Sequence, residues 1–250
     1  MIRLVLVLLW LVGFCLVSTP VLIAQWLYEK VTGKRWERFS LAVVQGVFKV
    51  TLWLSGVRLC VRGKEKIPAG QAVLYIGNHR SFFDIICSYS QVPGLTGFMA
   101  KKSTGRVPWL AHWMYMVNCL FLDRENVKEG LKTILAAIER IKRGVSVWIY
   151  PEGTRQTGPD PTDLLDFKEG SFKVAQKTGC PVVPVAILGT REIFEDHFPA
   201  VKPSRVTLWF GEPFYLSELS PEHRKFPGEY TRGVVSGMVG ELVRERGKAA

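Results

Sequence analysis

Cysteine is scarce in this chain and never paired. Cys15, Cys60, Cys87, Cys119 and Cys180 are odd in number, scattered and without a CxxC spacing, which counts against both a disulfide framework and a zinc site. A reducing environment suits them, as small buried apolar side chains. Acidic residues are also few, 22 against 33 Lys and Arg. The resulting formal charge of +11 calls for an anionic partner: nucleic acid, an anionic membrane or a phosphorylated substrate. No internal repeat, low-complexity tract or GxSxG nucleophile elbow is present, so no serine-elbow nucleophile is expected. What is present, 250 residues of which 48% are hydrophobic and 22% charged, is too long and too apolar for a disordered tail and can bury a full core.

Charge is missing altogether over the 25 positions from Leu4 to Tyr28, a run able to cross a hydrocarbon core of about 30 Å. Pro20 lies within it and predicts a kink or an end there. A second apolar stretch, Phe39 to Val57, follows a connector that carries Lys30, Lys34, Arg35 and Arg38. If both stretches crossed, this basic connector would be translocated, against the tendency of Lys and Arg to remain cytoplasmic. Gln45 and Lys49 are costly at mid-bilayer but harmless on the polar face of an interfacial helix. The expectation is a helical anchor over residues 1–57, embedded in one leaflet at the cytoplasmic face of the cell membrane. A single span over residues 4–28, with the second stretch interfacial, is the alternative. The run is longer than a signal-peptide core and lacks an A-x-A-like cleavage site. Residues 58–250 keep a net +7 of their own.

That second region reads as one α/β domain. β-rich runs recur at Val57–Val61, Ala72–Ile76, Leu95–Met99, Val145–Tyr150, Val182–Leu188 and Val206–Phe210. Helices are expected from the Asn126 cap to Gly144, from Ser171 to Thr178 with Gly179 closing it, and from about Gly228 to Gly247. This alternation predicts a mixed, largely parallel central sheet flanked by helices, with ligands gathering at the carboxyl ends of its strands.

Two loops at such ends carry the chemistry. After Ile76 comes Gly77-Asn78-His79-Arg80-Ser81-Phe82-Phe83-Asp84. With Ser81 as N-cap, Asp84 falls in the first helical turn and can meet His79. One reading is a capping box of Ser81 and Asp84 with His79 as a plain loop residue. The other makes His79 a general base oriented by Asp84, with the attacking oxygen supplied by an acceptor substrate. After Tyr150 comes Pro151-Glu152-Gly153-Thr154-Arg155, where Gly153 permits a tight turn. Glu152 and Arg155 either pair on the surface, worth at most about 1 kcal/mol, or accept a hydroxyl and grip a phosphate respectively. Phe121-Leu122-Asp123-Arg124 and Lys101-Lys102 are weaker signals, and Lys102 reads as a solvated rim charge.

In order and spacing, Asn78-His79 with Asp84, Phe121 to Arg124, Glu152 to Arg155 and Pro181-Val182-Val183-Pro184 resemble the four motif blocks of the glycerolipid acyltransferases, most of all the bacterial 1-acylglycerol-3-phosphate acyltransferases. The resemblance covers about residues 58–215. It implies His79 as general base, Asp84 as its partner, and Arg124, Arg155 and Lys101 as ligands of the acceptor's phosphate. It further implies that Glu152, Gly153 and Thr154 shape the acceptor site and that Pro181, Val182, Val183 and Pro184 build the acyl-donor side or support the pocket. Asn118 stands where the family often has glycine, three positions before Phe121; asparagine tolerates left-handed backbone, so the turn can persist.

The implied reaction moves an acyl chain from acyl-CoA or acyl carrier protein to the sn-2 hydroxyl of lysophosphatidic acid, giving phosphatidic acid, without an acyl-enzyme, a metal or a prosthetic cofactor. Glycerol-3-phosphate or another lysolipid could serve the same chemistry as acceptor, and thioester hydrolysis is a further reading. A non-enzymatic binder of anionic membranes belongs to another class. Nucleic acid is disfavoured, since the basic residues are spread along the chain and no recognition module stands out.

Overall fold

The computed structural model describes residues 1–248. Its first two helices are α1 (Ile2–Thr32) and α2 (Glu37–Ser55). There follow β1 (Arg58–Arg62), β2 (Leu74–Gly77), α3 (Phe82–Tyr89), β3 (Thr96–Lys101), α4 (Pro108–Met116), β4 (Leu120–Leu122), α5 (Val127–Lys142) and β5 (Ser146–Ile149). The chain continues through α6 (Lys173–Thr178), β6 (Val182–Leu188), β7 (Arg205–Phe210), α7 (Pro221–Lys225) and α8 (Pro227–Lys248). Each expected strand is found to within two residues at either end. Three elements were not expected: β4, α4 and the five-residue α7. β4 spans only three residues, too few to show a period, and exists through its pairing of Met99 with Leu120 and of Lys101 with Leu122. α4 is aromatic around its surface and has no clean apolar stripe.

Among the described residues the strands form one seven-stranded sheet in the order β1-β7-β6-β2-β5-β3-β4. All neighbours are parallel except β6 and β7. Five adjacent strands, β6, β2, β5, β3 and β4, therefore end on one edge, and the loops leaving that edge carry the functional candidates. Side chains alternate between two cores, as strand geometry requires. Tyr75, Trp148, Val183 and Val185 face α2, α3 and α4, whereas Leu74, Ile76, Val147 and Val182 face α5, α6 and α8. Phe98, Trp148 and Tyr75, on three adjacent strands, stack with centroids 5.0 and 4.9 Å apart.

The N-terminal helices pack antiparallel on the first of these faces. Arg3 donates to the Leu54 carbonyl at 2.9 Å, and the buried Gln25 donates to Ser40 at 3.0 Å. α2 contributes Val44 and Leu52 to the same core as the sheet. Gln45, expected on a polar face towards the interface, instead donates to the Tyr89 and Val92 carbonyls. It serves carbonyls left unpaired around the end of α3, while Lys49 is exposed as expected. Pro20 does not end α1. It removes one hydrogen bond from a 31-residue helix, and contacts of α1 with α2 and α4 on either side of it hold the helix in register. In the connector, Arg35 donates to the Tyr115 carbonyl, Glu37 and Asn118, fastening the turn to the α/β body. The outward face of α1 is apolar and open, with Leu9 65%, Leu16 71% and Val17 78% exposed. By length and composition α1 could cross a membrane.

Candidate active site

The loop after β2 begins with Asn78, whose amide clamps strand β6 by donating to the Ile187 carbonyl and accepting from the Ile187 N–H. Ser81 then caps α3, accepting from the Phe83 amide at 3.0 Å, and Asp84 closes the capping box on the Ser81 amide at 2.8 Å. The same Asp84 oxygen, Oδ2, lies 2.8 Å from Nδ1 of His79 and also accepts from the Arg80 amide at 2.6 Å. Capping box and histidine–aspartate pair are thus one set of atoms, and the cap does not exclude the contact of Asp84 with His79. Because Oδ2 already accepts two amide protons, the imidazole proton belongs on Nδ1, which leaves the Nε2 lone pair free to take a proton.

Asp84 is buried, and its other oxygen accepts from the Thr190 hydroxyl at 2.6 Å. His79 stacks on Tyr150, with centroids 4.3 Å apart and planes 17° from parallel. Burial pushes the Tyr150 phenol well up, so the ring is a neutral platform. The carbonyl of His79 accepts from the Gln156 amide at 2.8 Å, and the Arg80 guanidinium donates to the Gly158 carbonyl. The β2 and β5 loops are stitched together in this way.

Glu152 lies behind the histidine. Its Oε1 accepts from the His79 amide at 2.6 Å and its Oε2 from the Leu165 amide at 3.1 Å. Burial raises its pKa to about 7 against the opposing pull of these two amides. Glu152 does not pair with Arg155. The turn at Gly153, φ 75°, directs the two apart, and Arg155 contacts Glu195 at 3.4 Å while its guanidinium lies 3.8 Å over the Phe82 ring. Thr154 is exposed on the turn.

Lys101 and Arg124 belong to an adjoining part of the edge. They line a cavity of about 610 Å³ at the ends of β3 and β4, together with Arg106, Lys102 and Asp123. Its lining does not include His79, Asp84 or Arg155. Lys102 is held by Asp123 at 3.0 Å, a rim pair as expected. Asn118 takes the left-handed conformation, φ 64°, so the turn into β4 persists and Arg124 follows in place. Pro181, Val182, Val183 and Pro184 lie at the opposite, amino end of β6, where Pro181 accepts from Leu74 and Pro184 from Gly211. Those are contacts of the sheet framework.

Thr190, Glu195, Tyr150 and Arg106 were missed in the sequence. The run Lys101-Lys102-Ser103-Thr104-Gly105-Arg106 could have flagged Arg106 as a basic loop residue. Thr190 and Glu195 reach the site from over 100 residues away and carried no signal.

Comparison with known proteins finds acyltransferases. The family model described as Acyltransferase matches residues 58–188. The 1-acyl-sn-glycerol-3-phosphate acyltransferase of Borreliella burgdorferi is 31% identical over 157 residues, 63% of this chain and 62% of that protein. The Salmonella typhimurium protein of the same name is 28% identical over 187 residues, 74% of each chain. The match to the first of these, and to a yeast protein of that name, spans less than two thirds of their lengths, 62% and 63%. The crystal structure of the 1-acyl-sn-glycerophosphate (LPA) acyltransferase PlsC from Thermotoga maritima superposes with a TM-score of 0.76 at 28% identity, covering 96% of both chains.

Proposed function

The chain belongs to the acyltransferase family, and on that footing we propose that it transfers an acyl chain from a thioester donor, acyl-CoA or acyl carrier protein, to the sn-2 hydroxyl of lysophosphatidic acid. The observation that carries the reading is the 2.8 Å contact between His79 Nδ1 and a buried Asp84 whose remaining acceptor positions are filled by Arg80, Ser81 and Thr190. So held, His79 presents a neutral base at Nε2. It takes the hydroxyl proton as the acceptor oxygen attacks the thioester carbonyl. The new C–O bond forms, the tetrahedral oxyanion collapses with loss of the C–S bond, and the imidazolium returns its proton to the departing thiolate. Asp84 stabilises the imidazolium in the interval. Arg155 grips the acceptor's phosphate, and Lys101 and Arg124 extend the basic field along the same edge.

The outward apolar face of α1 supports embedding in one leaflet. The helix is tied to α2 near its start, by Arg3 to the Leu54 carbonyl, and to α4 of the α/β domain near its end, by the Tyr115 hydroxyl donating to Glu29. It therefore lies along the body, and the acceptor's tail can remain in lipid while its phosphate meets the basic edge.

Purified full-length chain should form phosphatidic acid when acyl-CoA and acyl carrier protein donors are crossed with lysophosphatidic acid and glycerol-3-phosphate. His79→Ala should lower kcat by about 10²–10⁴-fold. Full activity in His79→Ala and Asp84→Ala would refute the assignment of the base. Product from glycerol-3-phosphate alone would move the acceptor, and free fatty acid in the presence of acceptor would show hydrolysis.

A further inference from the structure

The segment after β6, residues 189–198, enters the mechanism above only through Thr190, yet it reaches the His79 loop and the Arg155 loop together. Glu195 makes the join. Its Oε1 accepts from the Phe82 amide at 2.9 Å and its Oε2 from the Ser81 hydroxyl at 2.7 Å. The carboxylate is thereby seated at the N-terminus of α3, where free N–H groups favour negative charge. Its side chain is 17% exposed.

From that seat Oε1 lies 3.4 Å from Nη1 of Arg155, and the Arg155 guanidinium rests on the Phe82 ring at 3.8 Å. One flat face of the guanidinium is therefore covered by an aromatic ring and one corner is touched by a carboxylate. Among the described residues, its Nε and Nη2 hydrogen bond to no protein group. Recognition of a phosphate by arginine depends on a planar fork of donors aimed at the anion. A long side chain that must be ordered on binding weakens binding, and one ordered beforehand does not.

We propose that Glu195 is a positioning residue for anion recognition, holding Arg155 by one corner of its guanidinium and leaving the opposite edge for the acceptor's phosphate. The inference rests on the proposed function, in which Arg155 takes that phosphate. A carboxylate that blocked the site would sit across the fork of Arg155. Glu195 touches a single nitrogen, and its two bonds to the start of α3 use none of the donors the phosphate needs.

The test uses purified full-length chain in detergent micelles, with Glu195→Gln, which keeps the shape and removes the charge, Arg155→Ala, and the double variant. Thermal melts report folding. Steady-state kinetics with lysophosphatidic acid and calorimetric titration with inorganic phosphate report the site. Glu195→Gln is expected to raise KM for lysophosphatidic acid about tenfold and to weaken phosphate binding by a similar factor, with kcat changing less than KM. In the Arg155→Ala background it should add little, because the two residues act as one unit.

A fall in KM would mean that the carboxylate competes with phosphate, and would overturn the proposal. Unchanged KM and phosphate affinity, with only the melting temperature lowered, would reduce Glu195 to a cap of α3 and overturn it too. Full additivity with Arg155→Ala would do the same. Phosphate binding that weakens in Glu195→Gln while the parent chain fails to acylate lysophosphatidic acid would sink the proposed reaction and leave the positioning role standing. A parent chain that neither binds phosphate nor acylates the lipid would overturn both.

Discussion

Glu152 is the residue on which burial and hydrogen bonding pull a single carboxyl in opposite directions. Two backbone amides favour its ionised form, yet burial prevails and lifts the pKa to about 7. The folded state therefore holds this proton more tightly than the unfolded chain does. Between about pH 4.5 and 7 the folded protein binds more protons than the unfolded, so stability conferred at this site falls as pH rises, by roughly 3 kcal/mol in all. Glu152→Gln, neutral throughout but able to accept only one of the two amide bonds, should carry a pH-independent loss and gain on the parent as pH rises from about 4.5 to 8 in denaturant titrations. A difference in stability that stayed constant with pH would contradict this origin. The Pro-Glu-Gly-Thr-Arg sequence marked the residue, but its ties to the His79 and Leu165 amides belong to the tertiary structure. Thr190 and Glu195 were not legible at all, since nothing local distinguishes a threonine that bonds Asp84 across the fold from one that meets water.

At the scale of the element, α3 and β4 show how short segments acquire their form. Ser81 and Asp84 stand at capping spacing, so the start of α3 was written locally, and the capping geometry is also what brings Asp84 under His79. β4 was not written locally. It follows a turn at Asn118, whose left-handed backbone delivers the chain beside β3 and whose side chain accepts from Arg35 at 3.0 Å. A β-branched residue resists that backbone. Asn118→Val should cost about 2 kcal/mol or more through strain and the lost Arg35 contact, and Asn118→Gly should cost less. Chemical denaturation of the two variants would measure the gap; equal losses would show that Arg35, not the backbone, governs the position. Pro20 gives the opposite lesson, as an intrinsic helix breaker is accommodated where packing continues on both sides of it.

At the scale of the whole molecule, the sheet order places five parallel strand ends on one edge, and that alone assembles loops from residues 78, 101, 123, 150 and 189 onward into one region. The same fold sets α1 against α2 and α4 while leaving its outer side chains without a protein partner. Charge placed on that outer side should therefore act on lipid binding and spare the packing. Leu9→Asp and Val17→Asp are each expected to weaken sedimentation with anionic vesicles at least tenfold, in line with the ~2 kcal/mol of a buried Leu or Val. Their melting temperatures in detergent should remain near that of the parent. Vesicle binding that survived both changes would remove α1 from the anchor and leave the basic surface to account for attachment.

The sequence by itself determined six of the seven strands, most helices, the apolar N-terminal run, and the motif blocks that mark His79, Asp84, Glu152 and Arg155. These rest on short-range physics: alternation, capping, turn chemistry and the absence of charge over 25 positions. Only the tertiary structure decided that Arg155 answers to Glu195 instead of Glu152, that Thr190 holds Asp84, that Lys101 and Arg124 share a cavity that the histidine does not line, and that the Pro181 to Pro184 block braces the far end of the sheet. Each of these depends on which strands become neighbours, and that choice is made by burial of whole faces, which no local stretch of residues encodes.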